Sequence, residues 1–214
     1  MNIEISELES DIIREIVNIG LAKAADSFAA IAKDKVYMNV PYIKILEPEL
    51  AQEVINGYKE TKVMVLSDLV GDIEGKTLLF FLQGHVKKIS QVCLGPEENY
   101  KGDYNQMQIS LLLEVSNILT GALVTQLANI LKLKIYGSPP RAITDQQVAT
   151  IVKLLNDFPN MQPLIFLVKT QFVNSGRLVE LPLLLVFTLE TLEKILTILR
   201  QDGFQDKELL RMSK

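Results

Sequence analysis

The chain has 214 residues, of which 48% are hydrophobic and 22% charged, and these proportions indicate a globular rather than a disordered protein. A net charge of −4, with no basic run longer than Lys87-Lys88, argues against a nucleic-acid-binding protein. One cysteine, no stretch of roughly 18 apolar residues and an acidic N-terminal sequence predict a cytoplasmic protein with no disulfide, membrane helix or signal peptide.

The first half of the chain predicts a helix, an extended segment, a second helix, a hairpin and a closing helix. Apolar residues recur at helical spacing over residues 6–33. The later elements are "VYMNVPYIKIL" (extended), "PELAQEVIN" (helix), "TKVMVLSDLV" to "KTLLFFL" (hairpin) and "HVKKISQVCLG" (helix). The polar stretch "PEENYKGDYNQ" then predicts a linker.

The second half repeats this order. Residues 106–132 predict a long helix, and "KIYGSPPRAI" predicts an extended segment. The following elements are "DQQVATIVKLLNDF" (a helix capped by Thr144 or Asp145), "PLIFLVKTQFV" to "LVELPLLLVFT" (hairpin) and "LETLEKILTILRQ" (helix). Pro182 interrupts the last strand and predicts an edge position or a bulge.

The spacing of two landmarks indicates a duplication. Pro41 and Pro140 are 99 residues apart, and so are Asn18 and Asn117. We therefore predict an α/β (α+β) fold made of a duplicated helix–strand–helix–hairpin–helix unit with pseudo-two-fold symmetry. Residues 1–214 would form a single domain with internal repeats at roughly 6–95 and 105–200, and the two long helices would lie side by side on a mixed or antiparallel sheet.

Both long helices carry a polar stripe opposite the apolar face. The residues of the first stripe are Asp11, Glu15, Asn18 and Ala22, and those of the second are Ser110, Glu114, Asn117 and Gly121. At about 100° per residue each stripe is about 60° wide. A Glu-x-x-Asn pair alone is more often a solvated helix face. However, asparagine is a poor residue inside a helix, and its recurrence at equivalent places favours a functional site.

Other candidate sites are weak in this sequence. His85 is the single histidine and is predicted to be a surface or capping residue, while Cys93 on an apolar face is predicted to be a core residue. There is no Cys/His cluster for zinc and no glycine-rich phosphate loop with a lysine. We therefore predict neither a metal nor a nucleotide cofactor.

The two stripes resemble a motif of the CheC/CheX/FliY phosphatases of bacterial chemotaxis. The pattern S/D-x-x-x-E-x-x-N-x-x-x-G is carried by "REIVNIGLAKAA" and "LLLEVSNILTGAL" with the residues that precede them. The resemblance covers nearly the whole chain, and two copies favour a CheC-like over a CheX-like protein. It implies an enzyme that hydrolyses the aspartyl phosphate of a CheY-like response regulator.

The resemblance also implies roles for individual residues. Asn18 and Asn117 would position the attacking water, and the glutamates before them, Glu15 and Glu114, would dock onto a lysine of the regulator. Asp11 and Ser110 would support the sites, and small residues at positions 22 and 121 would allow close approach. The Mg²⁺ needed for the reaction would belong to the regulator. Ala22, followed by Lys23, departs from the glycine of the pattern, so we expect the second site to be the more active.

Two alternatives to a phosphatase follow from the same resemblance. A FliM-like scaffold would share the fold without catalysis, although it would have no need of the Glu/Asn pairs. A CheD-like deamidase could be the main partner, with phosphatase activity secondary, and the sequence does not distinguish this from the leading hypothesis.

Overall fold

The computed structural model describes residues 5–40, 43–45, 61–96, 104–144 and 161–201. In chain order the elements are α1 (Glu7–Ala32), β1 (Val36–Asn39), β2 (Ile43–Ile45), β3 (Thr61–Gly71), β4 (Gly75–Leu82), α2 (Gln83–Cys93), α3 (Gln106–Leu131), β5 (Ile135–Gly137), β6 (Arg141–Thr144), β7 (Met161–Phe172), β8 (Arg177–Thr188) and α4 (Leu189–Leu199). The helices predicted at 48–56 and 145–158, and residues 97–103 of the predicted linker, lie outside the described residues.

The two long helices begin and end at equivalent residues. Ser6 caps α1 and Asn105 caps α3, each through a capping box. Both helices end at a lysine in the left-handed conformation, Lys33 with φ 49° and Lys132 with φ 53°. Start and end residues keep the 99-residue spacing that relates Asn18 to Asn117. The register of the repeat is therefore present in the structure as well as in the sequence.

The strands form one sheet in the order β1-β7-β8-β4-β3-β5, with β2 paired to β7 and β6 paired to β3. All pairings among the described strands are antiparallel. The counterparts in the two halves are β1 and β5, β2 and β6, β3 and β7, and β4 and β8. If each strand is replaced by its counterpart, the result is the same strand order read from the other edge of the sheet, as two-fold symmetry requires. This confirms the predicted duplicated fold, and each half places its first two strands against the hairpin of the other half. That residues 1–214 form a single domain stays a prediction.

The apolar faces of α1 and α3 pack together and against the sheet. Their fully buried core side chains include Ile16, Val17, Leu21 and Phe28 from α1 and Leu112, Val115, Leu119 and Leu123 from α3. Burying each side chain of this size contributes roughly 1.5–3 kcal/mol. One described helix, α3, is also long and apolar enough to cross a membrane by length and composition alone, and half of its apolar window is buried inside the protein. The packing leaves the polar stripes facing outward.

Pro182 occupies an inner strand, so the predicted edge position is wrong. β8 lies between β7 and β4, and Pro182 is opposite Leu167 of β7 without a shift in register. The ladder between β8 and β4 runs over Leu183–Phe187. Pro182 therefore lies just beyond the end of that ladder, where a missing N–H is tolerated.

Glu9 joins the beginning of α1 to the end of α4. Its side chain is 4% exposed and accepts a hydrogen bond from Arg200 Nε at 2.5 Å. The other carboxylate oxygen accepts hydrogen bonds from Ser6 N and Ser6 Oγ, both at 2.7 Å. Burial opposes ionisation of Glu9, but the hydrogen bonds from Arg200 and Ser6 outweigh it and hold the pKa of the carboxyl below its usual value.

We expect Glu9→Gln to lower the free energy of unfolding by about 1–3 kcal/mol at pH 7, because it removes a buried charge-assisted contact. Since the folded pKa is lowered, the wild-type contribution is present above the unfolded pKa of about 4.3 and is lost as the pH falls through the folded pKa. Urea denaturation between pH 7 and pH 3 measures both effects. Glu7→Gln, at an exposed residue of the same first turn, is the control and should change little. An equal loss in both variants would contradict this role for Glu9.

Candidate functional site

The structure places the two predicted stripes on the outward faces of α1 and α3. In the second stripe all four residues, Ser110, Glu114, Asn117 and Gly121, are exposed. In the first stripe Asp11, Glu15 and Ala22 are exposed, whereas Asn18 is half-buried. Each stripe therefore forms a surface of its own on one helix, and the two surfaces differ at the asparagine.

The second stripe is open to solvent around its carboxamide. The side chain of Asn117 makes no hydrogen bond to any residue that the structure describes. One turn further along, a Cβ placed on Gly121 would have no described atom within 4 Å. Nothing in the fold requires a glycine at this point of α3, and glycine is unfavourable inside a helix. The space beside Asn117 is therefore available to a molecule that approaches from outside.

The first stripe is closed at the equivalent position. Asn18 Nδ2 donates to the carbonyl oxygen of Val40 at 3.2 Å, and the N–H of Val40 donates to Asn18 Oδ1 at 2.7 Å. A polar stripe opposite the apolar face predicts exposed side chains, but Asn18 is half-buried because its carboxamide is paired with the backbone after β1.

The charges beside the two stripes also differ. In the first stripe Arg14 Nη2 lies 2.8 Å from Asp11 Oδ1. Lys23 Nζ donates to Gln126 Oε1 of α3 at 2.9 Å, so this cation bridges the two long helices. The positions that correspond to Arg14 and Lys23 in the second repeat hold the uncharged residues Leu113 and Ala122. The second repeat thus has no basic residue at either of these positions, whereas the first repeat has one at each.

The histidine and the cysteine lie away from both stripes, on α2. His85 Nδ1 accepts a hydrogen bond from the N–H of Leu82 at 3.4 Å, which agrees with the predicted capping role, and burial lowers its pKa. Burial raises the pKa of the half-buried Cys93 thiol to about 12, so it is a poor nucleophile at neutral pH. Across the described ranges, no three or more His, Cys, Asp or Glu side chains are grouped so that they could hold a metal ion.

The chemistry available at the second stripe is that of a carboxylate and a carboxamide one helical turn apart. A carboxamide offers a donor and an acceptor together, and neither depends on a particular pKa. An exposed carboxylate three residues earlier can pair with a cation of a binding partner. Such a surface suits positioning of a water molecule or polar group that another molecule brings.

The two segments that carry the Glu-x-x-Asn stripes are similar to CheC-like proteins. The model of the CheC-like family matches residues 8–45 and 107–143, which contain both stripes and the extended segment after each. The chain is therefore similar to the CheC-like family over these two segments, as the stripes predicted.

Two relatives of known name are both called phosphatases. The chain is 26% identical to the CheY-P phosphatase CheC of Bacillus subtilis, over 83% of this chain and 86% of that protein. It is 23% identical to the flagellar motor switch phosphatase FliY of the same organism, over 64% of this chain and 36% of that protein.

Solved structures confirm the fold. FliY of Thermotoga maritima superposes with a TM-score of 0.74 at 18% identity, over 92% of this chain and 98% of that chain. FliM from the FliM–SpeE complex of H. pylori superposes with a TM-score of 0.68 at 11% identity, over 95% of this chain and 98% of that chain. The fold is thus common to proteins named as phosphatases and to FliM, and it does not by itself separate the two.

Proposed function

We propose that the chain is a chemotaxis phosphatase that hydrolyses the aspartyl phosphate of a CheY-like response regulator. The observation that supports this best is the second stripe, where Glu114 and Asn117 are exposed beside the open surface at Gly121 and the Asn117 carboxamide makes no hydrogen bond to the described residues. The match to CheC and FliY, both named as phosphatases, supports the same reaction class.

The proposed reaction needs little chemical machinery from this chain. An aspartyl phosphate is already reactive, so the main requirement is a water molecule placed in line with the P–O bond. The water oxygen attacks phosphorus, the bond to the aspartyl oxygen breaks with its electron pair, and the water proton passes to the released phosphate. The Asn117 carboxamide, and the Asn18 carboxamide at the first site, would orient this water. The Mg²⁺ ion would be held by the regulator, so we propose no metal or other cofactor in this chain.

Glu114 is proposed to dock the regulator. Its exposed carboxylate lies one turn before Asn117, so a lysine bound to it would lie close to the reacting group. Leu113 and Ala122 are uncharged, so neither competes with the regulator's lysine for the Glu114 carboxylate. Ser110 would support the same surface one turn earlier. Glu15 and Asp11 are the equivalent residues of the first site.

Two alternatives are weaker. A FliM-like scaffold is compatible with the fold, but it does not explain why the second stripe has an open glycine and a carboxamide that no described residue pairs with. Binding of a CheD-like deamidase stays a prediction that the described surface does not distinguish from regulator binding. We propose a cytoplasmic protein with a response regulator as partner, and neither nucleic acid nor a membrane.

The test is phosphate release from a phosphorylated CheY-like regulator with and without this protein. We expect the wild-type chain to accelerate release, and Glu114→Ala to raise KM and lower turnover. Loss of a charge-assisted hydrogen bond of about 1.5–3 kcal/mol corresponds to roughly a 10- to 150-fold fall in kcat/KM. Glu193→Ala, at an exposed glutamate of α4, is the matched control. Failure of the wild-type chain to accelerate release from any regulator of this kind would refute the proposal.

A further inference from the structure

The two asparagines differ because one of them is held by the backbone. Both polar atoms of the Asn18 carboxamide are paired with the N–H and C=O of Val40, at 2.7 and 3.2 Å. Val40 is 1% exposed, so its N–H has no access to solvent as a substitute partner. Turning Asn18 outward would leave a buried donor unsatisfied, which is unfavourable. The contact therefore restrains Asn18 in a half-buried orientation.

One of the two equivalent hydrogen bonds, the one from the backbone N–H to the carboxamide oxygen, is chemically impossible in the second repeat. The 99-residue spacing that relates Asn18 to Asn117 relates Val40 to Pro139. Lys33 and Lys132, which end the two long helices, keep the same spacing only a few residues before this position. Proline has no N–H, so Pro139 cannot donate to the carboxamide oxygen as Val40 does. This agrees with the exposed Asn117 side chain, which makes no hydrogen bond to the described residues.

We propose that the residue after the first short strand of each repeat sets whether its asparagine is free to act. Val40 holds Asn18 and attenuates the first site, whereas Pro139 releases Asn117 and makes the second site the working one. Pro139 is thus a positioning residue. Because it has no backbone N–H to hold the Asn117 carboxamide, that side chain stays free to turn toward the regulator. This inference rests on the proposed phosphatase function.

The activity test restores the missing donor. Pro139→Val supplies an N–H at an exposed position, and we expect it to lower kcat for phosphate release at least tenfold. KM for the regulator should stay within twofold, because Glu114 is unchanged. Pro139→Ala should act in the same direction and provides a second variant with a smaller side chain. Pro140→Ala, which adds an N–H one residue later, should keep wild-type kcat. A folded Pro139→Val protein with unchanged kcat, or an equal loss in Pro140→Ala, would overturn the proposal.

A spectroscopic test needs no activity and separates this inference from the proposed function. In NMR spectra of the free wild-type protein, we expect the side-chain amide protons of Asn18 to exchange slowly with solvent and those of Asn117 to exchange fast. In Pro139→Val the Asn117 amide should become protected. If wild-type protein had no phosphatase activity, these exchange rates would still decide whether the restraint exists. Equal protection of both asparagines in the wild type, or a fall in kcat without protection of Asn117 in the variant, would contradict it.

Discussion

Asn117→Ala is expected to remove most of the phosphatase activity, and Asn18→Ala is expected to remove little of it. Loss of a group that positions the transition state costs about 2.7–4 kcal/mol, or 10²–10³ in rate, at the affected site. The Asn117 carboxamide is exposed and makes no hydrogen bond within the described part of the chain, whereas that of Asn18 is paired with Val40. Single-turnover release of phosphate from the regulator at saturating protein measures the two rates. The double variant should fall to the regulator's own rate of dephosphorylation.

The free energy of unfolding should show the opposite pattern, with Asn18→Ala more damaging than Asn117→Ala. Asn18→Ala leaves the buried N–H of Val40 unpaired and is expected to cost about 1–3 kcal/mol of folding free energy. Asn117→Ala removes no hydrogen bond to the described residues, and alanine is the better helix residue, so the melting temperature should stay the same or rise slightly. A folded double variant with the wild-type rate would exclude the stripes as the active site and favour the scaffold. The opposite ranking of activities would leave the enzyme in place and contradict only the dominance of the second site.

The regular elements were predictable because their signals are local. Apolar residues at helical spacing predicted long helices over 6–33 and 106–132, and the structure has Glu7–Ala32 and Gln106–Leu131. Turn residues between apolar runs located both hairpins. The repeat spacing predicted the symmetry, because equivalent residues of a duplicated chain occupy equivalent places. The two stripes followed from the same periodicity.

The contacts that distinguish the two sites were not predictable, since they join residues that are distant in the chain. Asn18 reaches Val40 across 22 residues, and Lys23 reaches Gln126 across 103. The pairing of β1 with β7 joins opposite halves and leaves no trace in local spacing. One signal was present in the sequence: Pro139 stands where the first repeat has Val40, and it lacks the donor on which the Asn18 contact depends.

The duplication explains how two equivalent helices of the same length come to offer different surfaces. The core faces of α1 and α3 must both stay apolar, because each packs against the other and against the shared sheet. The outward stripes carry no such constraint, so each repeat can change there without loss of the fold. The first stripe has Arg14, Lys23 and the Val40 contact beside it, whereas the second has an open glycine. Each of these differences favours the second stripe as the docking surface.

Gly121→Leu should abolish most activity while leaving the fold intact. No described atom lies within 4 Å of a Cβ at this position, so the side chain would project into solvent in the free protein. Leucine is also a better helix residue than glycine by about 0.5–1 kcal/mol, so the melting temperature should stay the same or rise. In the complex the added side chain would hold the regulator away from Asn117, and a displacement of about 1 Å can cost roughly 10²-fold in rate. Phosphate release and thermal unfolding of the same preparation give both quantities.

Gly20→Leu is the matched control, because its glycine lies on the opposite, inward face of the equivalent helix. A Cβ on Gly20 would lie 3.3 Å from the carbonyl oxygen of Ala122 and from Cα and Cδ2 of Leu123. The backbone of α3 cannot easily move away, so overpacking should destabilise the protein by about 1–3 kcal/mol or more. The fraction that remains folded should keep the activity of the second site. If Gly121→Leu instead lowered stability without affecting phosphate release, the open surface beside Asn117 would not be where the regulator docks.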